Sequence, residues 1–236
     1  SIGAELEFYI LDNKLKVSPI SMELHERIND PQVTFELNRF NLEYNLKPQF
    51  FNGSPFSAFE EELTNAISRI DTVASAYNSR IIPIGILPTL ARTDFCPTTM
   101  TDIPRYRIFA KSLRDMRGGP FSINIDGEDA LHLDADDVTL EGANTSHQIH
   151  WRVNPNDFAD YFNAAQLVTP VMVALGANSP SLFGHHLWDE TRITLFKQSI
   201  DSRSKSGCRW RHPPRVYFGM GWVREGAWEL FSASTA

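Results

Sequence analysis

Two glutamates, Glu5 and Glu7, alternate with apolar residues in the run Gly3-Ala4-Glu5-Leu6-Glu7-Phe8-Tyr9-Ile10-Leu11. The alternation predicts a β-strand that turns both carboxylates to one face and Ala4, Leu6 and Phe8 to the other. Like charges that close repel unless a cation lies between them or one of them is protonated. A second run, Phe35-Glu36-Leu37-Asn38-Arg39-Phe40-Asn41-Leu42-Glu43-Tyr44-Asn45, again sets acids among apolar residues. Glu5, Glu7, Glu36 and Glu43 together have the makings of the acidic floor of a divalent-metal site. The competing reading is a solvated strand face, the ordinary fate of glutamate.

A third segment, Glu141-Gly142-Ala143-Asn144-Thr145-Ser146-His147-Gln148-Ile149-His150-Trp151-Arg152-Val153, reads as a strand with Ser146, Gln148, His150 and Arg152 on one face. Such a face is costly to bury unless a metal ion or an anionic ligand lies opposite. Neutral imidazole is a common metal ligand, and guanidinium suits phosphate or carboxylate. A plain hydrogen-bonded role for His150 remains open. A fourth segment, Asn178-Ser179-Pro180 followed by Trp188-Asp189-Glu190-Thr191-Arg192-Ile193, starts as a turn that ends a helix. Arg192 is either a ligand contact or an arginine paired with Asp189 or Glu190.

The elements that must position these residues can be read from periodicity. Strands are expected over 2–11, 33–37, 42–46, 80–87, 121–126 and 146–153. The clearest helix spans 57–77, with Phe59, Leu63, Ala66, Ile67, Ile70 and Ala74 on one face. Further helices are expected over 104–116, stopped by Gly118-Gly119-Pro120, and over 156–176, with a short one at 22–28. The order has no regular βαβ period, which favours an α+β fold with a largely antiparallel sheet. No glycine-rich phosphate loop is present, so any nucleotide must be held another way.

Composition narrows the classes. With 236 residues, 42% hydrophobic and 22% charged, the chain can build one large domain or two small ones. A net charge of -7 argues against a nucleic-acid partner. The one basic stretch, Arg203, Lys205, Arg209, Arg211 and Arg215, includes Ser, Gly and two prolines and reads as a loop. Cys96 and Cys208 lack metal-type spacing, so a reducing cytoplasm is expected, with Cys96 a buried small hydrophobe. The longest apolar stretch, 168–177, reads as a buried helix too short to span a bilayer. No signal peptide is read. Because position 1 is Ser, directly before a strand, a piece of a longer chain is expected.

Taken together, the segments resemble a family. Gly-x-Glu-x-Glu-Phe, Glu-x6-Glu, Gly85-Ile86-Leu87-Pro88-Thr89-Leu90, Arg105-Tyr106, Thr-Ser-x-Gln-x-His and Asn-Ser-Pro…Arg occur in an order similar to glutamate–cysteine ligase family 2, the carboxylate–amine ligases. The resemblance runs from Gly3 to about Trp222. It implies a single catalytic domain over 1–236, with a curved, largely antiparallel sheet and flanking helices like that of glutamine synthetase. The concave face of that sheet would hold ATP, Mg²⁺ and the acid substrate. It further implies that Glu5 and Glu7 bind different metal ions, and that Glu36 and Glu43 complete one site with Asn45 beside them. His150 would be the histidine ligand, Gln148 a cofactor or substrate contact, and Arg192, with Arg105 as a weaker match, would meet phosphate or the substrate carboxylate.

The implied reaction joins glutamate or a similar acid to an amine such as cysteine, with small-molecule substrates, no nucleic-acid or membrane partner, and an oligomer possible. One departure stands out: the family's later Glu-x-Arg pair has no convincing copy before Ala236. A non-catalytic descendant that binds nucleotide or an amino acid is therefore a second reading. A metal-dependent hydrolase, a third, would use similar acids without needing the arginines.

Overall fold

The structure, a computed structural model, describes residues 1–203, 214, 216–219 and 221–235. Lys205, Cys208, Arg209, Arg211 and Arg215 lie outside the described residues. In chain order the elements are β1 (Ile2–Asp12), α1 (Ser21–Ile28), β2 (Val33–Phe35), β3 (Asn41–Asn45), α2 (Pro55–Ser75), β4 (Ser79–Ile82) and α3 (Pro104–Arg117). They continue with β5 (Phe121–Asp126), β6 (Ala130–Ala135), β7 (His147–Trp151), α4 (Phe158–Gly176), β8 (Ser181–Leu182), β9 (His185–His186), α5 (Thr191–Ser199) and α6 (Trp228–Thr235).

β1 organises the molecule. Of its 11 residues, Glu5 to Tyr9 pair with β3 along one edge, and its other edge is shared between β7, opposite Ile2 to Leu6, and β4, opposite Tyr9 to Asp12. β2 extends the sheet beyond β3, and every pairing is antiparallel. Alternation along β1 divides two environments. Ile2, Ala4, Phe8 and Ile10 face α1 and α2 and pack with Leu24, Phe59, Ala66, Ile70 and Ala74. On the opposite face, Tyr9 and Leu11 enter a second core with Phe40, Ile86, Ile123, Leu182 and Leu195, while Glu5 and Glu7 occupy the other end of the same face. A third cluster, with Leu37, Tyr106, Leu113 and Phe121, seats α3. α3 ends as expected at Gly118, which takes the left-handed conformation at φ 66°.

The structure departs from the sequence-based expectations at several points, each for a physical reason. The strand expected over 80–87 stops at Ile82, because Pro83 has no N–H to continue the ladder. The strand expected over 33–37 stops at Phe35, since the Glu36 and Leu37 carbonyls instead accept from Thr101 Oγ1 (2.6 Å) and Thr101 N (2.8 Å). β6, β8, β9, α5 and α6 were not apparent from periodicity. Cys96 is only partly buried and contacts the Thr98 hydroxyl instead of a core. The helix over the apolar stretch forms, yet none of the side chains of α4 is buried, with Leu167 67% and Leu175 79% exposed. No helix among the described residues is long and apolar enough to cross a membrane.

Phe8 is fully buried between β1 and the helices. Phe8→Ala is expected to lower unfolding stability by about 3–5 kcal/mol, measured as a shift of the urea midpoint.

Candidate functional site

The acidic face of β1 is built by the sheet register. Glu7 lies directly opposite Glu43 of β3, and Glu36 arrives from the segment just after β2, whose carbonyl Thr101 holds. One carboxylate oxygen from each of Glu7, Glu36 and Glu43 lies within 4.8 Å of the others. Each acid has its own support. Glu7 accepts from Ser146 N at 2.8 Å and Gln148 Nε2 at 3.1 Å. Glu43 Oε1 accepts from Thr34 Oγ1 and Asn45 Nδ2, both at 2.8 Å, and Glu36 accepts from Leu37 N at 3.3 Å. Glu5, one strand step below, pairs with His150 Nε2.

Crowding shows in the proton affinities. Burial, strengthened by the charges of Glu7, Glu43 and Glu141, pushes Glu36 up to about 8. Burial likewise raises Glu7 to about 7 against the opposing Ser146 N–H, and Glu43 adds to the rise. Contact with the Glu43 carboxyl, then burial and the charges of Glu43 and Glu7, raises Glu5 to about 7.

A fifth acid joins them. Glu141, raised to about 7 by burial and by Glu7, stands on a 3₁₀ turn over Thr139–Ala143. Asn38 pins that turn by donating to the Thr139 carbonyl at 2.8 Å. The fit requires glycine at 142, where a Cβ would come within 2.4 Å of Asn38 Nδ2. Sequence reasoning missed Glu141 as a site residue because a 3₁₀ turn offers no periodicity to read.

A hard cation is the group such a donor set fits. The ligating atoms are all oxygen, as Mg²⁺ prefers. Among the described residues Asn41, on the Glu43 face of β3 and 1% exposed, has neither carboxamide atom partnered, and Asn38 Oδ1 is also without a partner. Buried amides of this kind call for a polar neighbour, such as the hydration shell of an ion.

Beside the acids opens a cavity of about 850 Å³ whose lining includes Glu7, Glu141, Gln148 and Arg192 together with Ile149, Met172 and Phe196. Arg192 is tightly engaged. Its Nε and Nη2 donate to the Glu190 carboxylate at 2.6 and 2.5 Å, Nη1 donates to the Thr145 carbonyl at 2.8 Å, and Nη2 also reaches the Gly176 carbonyl at 3.1 Å. Gly85 leaves the room: a Cβ there would lie 3.0 Å from the guanidinium carbon and 2.5 Å from the Asn178 carbonyl.

The model of glutamate-cysteine ligase family 2 matches residues 1–211 of this chain. The chain belongs to that family. No individually curated protein matches it. In this family 2 ligase the structure brings Glu5, Glu7, Glu36, Glu43, Gln148 and His150 together on the β1 face. Asn45 is there too, spent on orienting Glu43. Arg192 lines the cavity, joined to Glu190 as one of the two sequence readings had it. Arg105 is not brought in. It is exposed, lies 4.6 Å over the Tyr106 ring and donates to the Tyr106 hydroxyl at 2.6 Å.

These raised acids make stability depend on pH. Carboxyls that ionise near 7 to 8 when folded, against an ordinary value of 4.5, hold protons that the unfolded chain has lost. Their contribution is complete below 4.5 and disappears as pH rises through 7 to 8. Without divalent cation, the urea midpoint should therefore fall between about pH 5 and about pH 8.5. Glu36→Gln should flatten that slope, and millimolar MgCl₂ should restore the alkaline midpoint. An equal slope in wild type and variant would remove Glu36 from the explanation.

Proposed function

We propose that this chain is an ATP- and Mg²⁺-dependent carboxylate–amine ligase of the glutamate–cysteine ligase type, working in the cytoplasm. The Glu7–Glu36–Glu43 cluster carries the reading: three partly buried carboxylates converge with oxygen atoms alone. In this reading residues 1–236 form one catalytic domain of glutamine synthetase-like design. Glu7, Glu36 and Glu43 hold one Mg²⁺, while Glu5 and His150 hold a second. Bound Mg²⁺ supplies charge compensation for the transferring phosphoryl group.

The chain's own residues then position and hold. Gln148 and Ser146 fix the rotamer of Glu7, and Asn45 and Thr34 fix that of Glu43. Gln148 and Asn45 line the approach of ATP. Arg192 offers its remaining Nη1 hydrogen to phosphate or the acid substrate, and Arg105 would act from the rim. The acid's carboxylate oxygen attacks the γ-phosphorus and ADP leaves. The amine nitrogen then attacks the acyl carbon, phosphate departs, and the amine loses a proton to give the amide. Such a reaction proceeds by positioning and charge compensation, which accords with a site built from acids, amides and a held arginine.

A second reading, a nucleotide- or amino-acid-binding descendant without activity, draws on one observation: Glu190 already neutralises the arginine that lines the cavity.

Incubation with ATP, Mg²⁺, glutamate and a panel of amines should release phosphate only when acid and amine are both present. Tight ATP binding without phosphate release from any pair would favour the second reading. Glu7→Gln should raise the Mg²⁺ concentration for half-maximal release by about 10–100-fold with the thermal midpoint retained. Loss of folding on that change would make Glu7 structural.

A further inference from the structure

Glu7 and Arg192 meet at opposite ends of one peptide group. The Thr145 carbonyl accepts from Arg192 Nη1 at 2.8 Å, and the N–H of the same peptide, on Ser146, donates to the Glu7 carboxylate at 2.8 Å. In a trans peptide the carbonyl and the N–H point in opposite directions. The guanidinium therefore draws on one end of the amide dipole while the acid receives the other. A cation bonded to an amide oxygen makes the N–H of that amide a stronger donor, because hydrogen bonds in a chain polarise one another.

Both ends of this chain of bonds are fixed. Thr145, 2% exposed, donates its N–H to the Gly85 carbonyl at 3.0 Å and its hydroxyl to the Ile84 carbonyl. Gly85 thus serves twice, its carbonyl accepting from Thr145 and its missing side chain admitting the guanidinium. At the far end Glu190 takes Nε and Nη2 of Arg192, and the buried Ser179 hydroxyl steadies Glu190 at 2.9 Å. Against burial, these bonds hold the Glu190 carboxyl below the ordinary carboxylate range. With the Gly176 carbonyl also bonded, four of the five N–H donors of Arg192 face the protein. An arginine that served only to catch an anion would keep two parallel donors free.

We propose that Glu190 and Arg192 are positioning residues for the metal ligand Glu7, acting on it through the Thr145–Ser146 peptide. The inference rests on the proposed Mg²⁺ site at Glu7, Glu36 and Glu43 and names the device that orients one of its ligands. Glu190 aims the guanidinium, the guanidinium aims and polarises the peptide, and the Ser146 N–H restrains the Glu7 carboxylate. The one remaining Nη1 hydrogen stays available for phosphate or the acid substrate.

Mn²⁺ binding, followed by electron paramagnetic resonance without ATP, reads the metal site independently of turnover. Arg192→Gln and Glu190→Gln should each weaken Mn²⁺ binding about tenfold. The sign for Arg192→Gln is the sharpest test. If Arg192 acted on the ion only through space, removing its positive charge would tighten Mn²⁺ binding; acting through the peptide, its removal weakens it. Should Arg192→Gln fail to fold, a double-mutant cycle of Glu190→Gln with Glu7→Gln decides. In Glu7→Gln protein the second change should cost nothing further, whereas a freed Arg192 charge repelling the ion would cost as much in either background. Tighter binding by Arg192→Gln, unchanged binding in both variants, or an undiminished Glu190→Gln effect in Glu7→Gln protein would overturn the proposal. With wild-type protein binding Mn²⁺, any of these would leave the metal site standing. Wild-type protein that binds no Mn²⁺ would remove the metal site and this inference with it.

Discussion

Mutual repulsion among carboxylates is the constraint around which the structure is arranged. Glu5, Glu7, Glu36, Glu43 and Glu141 are drawn into one partly buried region where Glu7, Glu43 and Glu141 raise the proton affinity of their neighbours. A fold tolerates that only if the surrounding framework is rigid enough to resist their separation. Here the framework is the sheet itself. Two apolar cores grip β1 from its two faces, and β3 locks Glu43 opposite Glu7 through a five-residue register. The donors that touch the acids come mainly from neighbouring strands and loops, so the charges and the scaffold are fixed by the same pairings.

The shared edge of β1 explains where the site opens. β7 covers the edge up to Leu6 and β4 takes over from Tyr9, leaving Glu7 at the divide. Its backbone N–H reaches Ser146 at 2.9 Å and its carboxylate receives the Ser146 N–H in return. β7 and β4 thus diverge at the residue that borders both the acid cluster and the cavity.

How much of this could be read from sequence depended on whether a residue lay in a periodic element. The alternation of β1 gave the shared face of Glu5 and Glu7, and that of β7 gave the shared face of Gln148 and His150, because a strand's period of two survives any context. The pairings of Gln148 with Glu7 and His150 with Glu5 follow once those strands are adjacent, but their register depends on contacts distant in sequence. Glu141 was out of reach, its turn being held by Asn38 about a hundred positions away. For Arg192 the sequence offered two partners of different kinds, and the local one, two residues back, is the one formed. α4 was misjudged in burial because apolar composition reports what a segment could pack against, not what is there.

The pairing of Glu7 with residues 139 and 141 positions further along has a kinetic side. β1 is the first element in the chain, yet its edge is completed only by β7. Contacts that close such long loops form late and slow the folding of the sheet, because chain entropy is lost before they contribute. Until β7 docks, Glu7 lacks both its donors, so the strand of acids precedes the site. Acquisition of the cavity therefore marks the closing of the whole chain upon its first strand, and it would time folding better than helix content would.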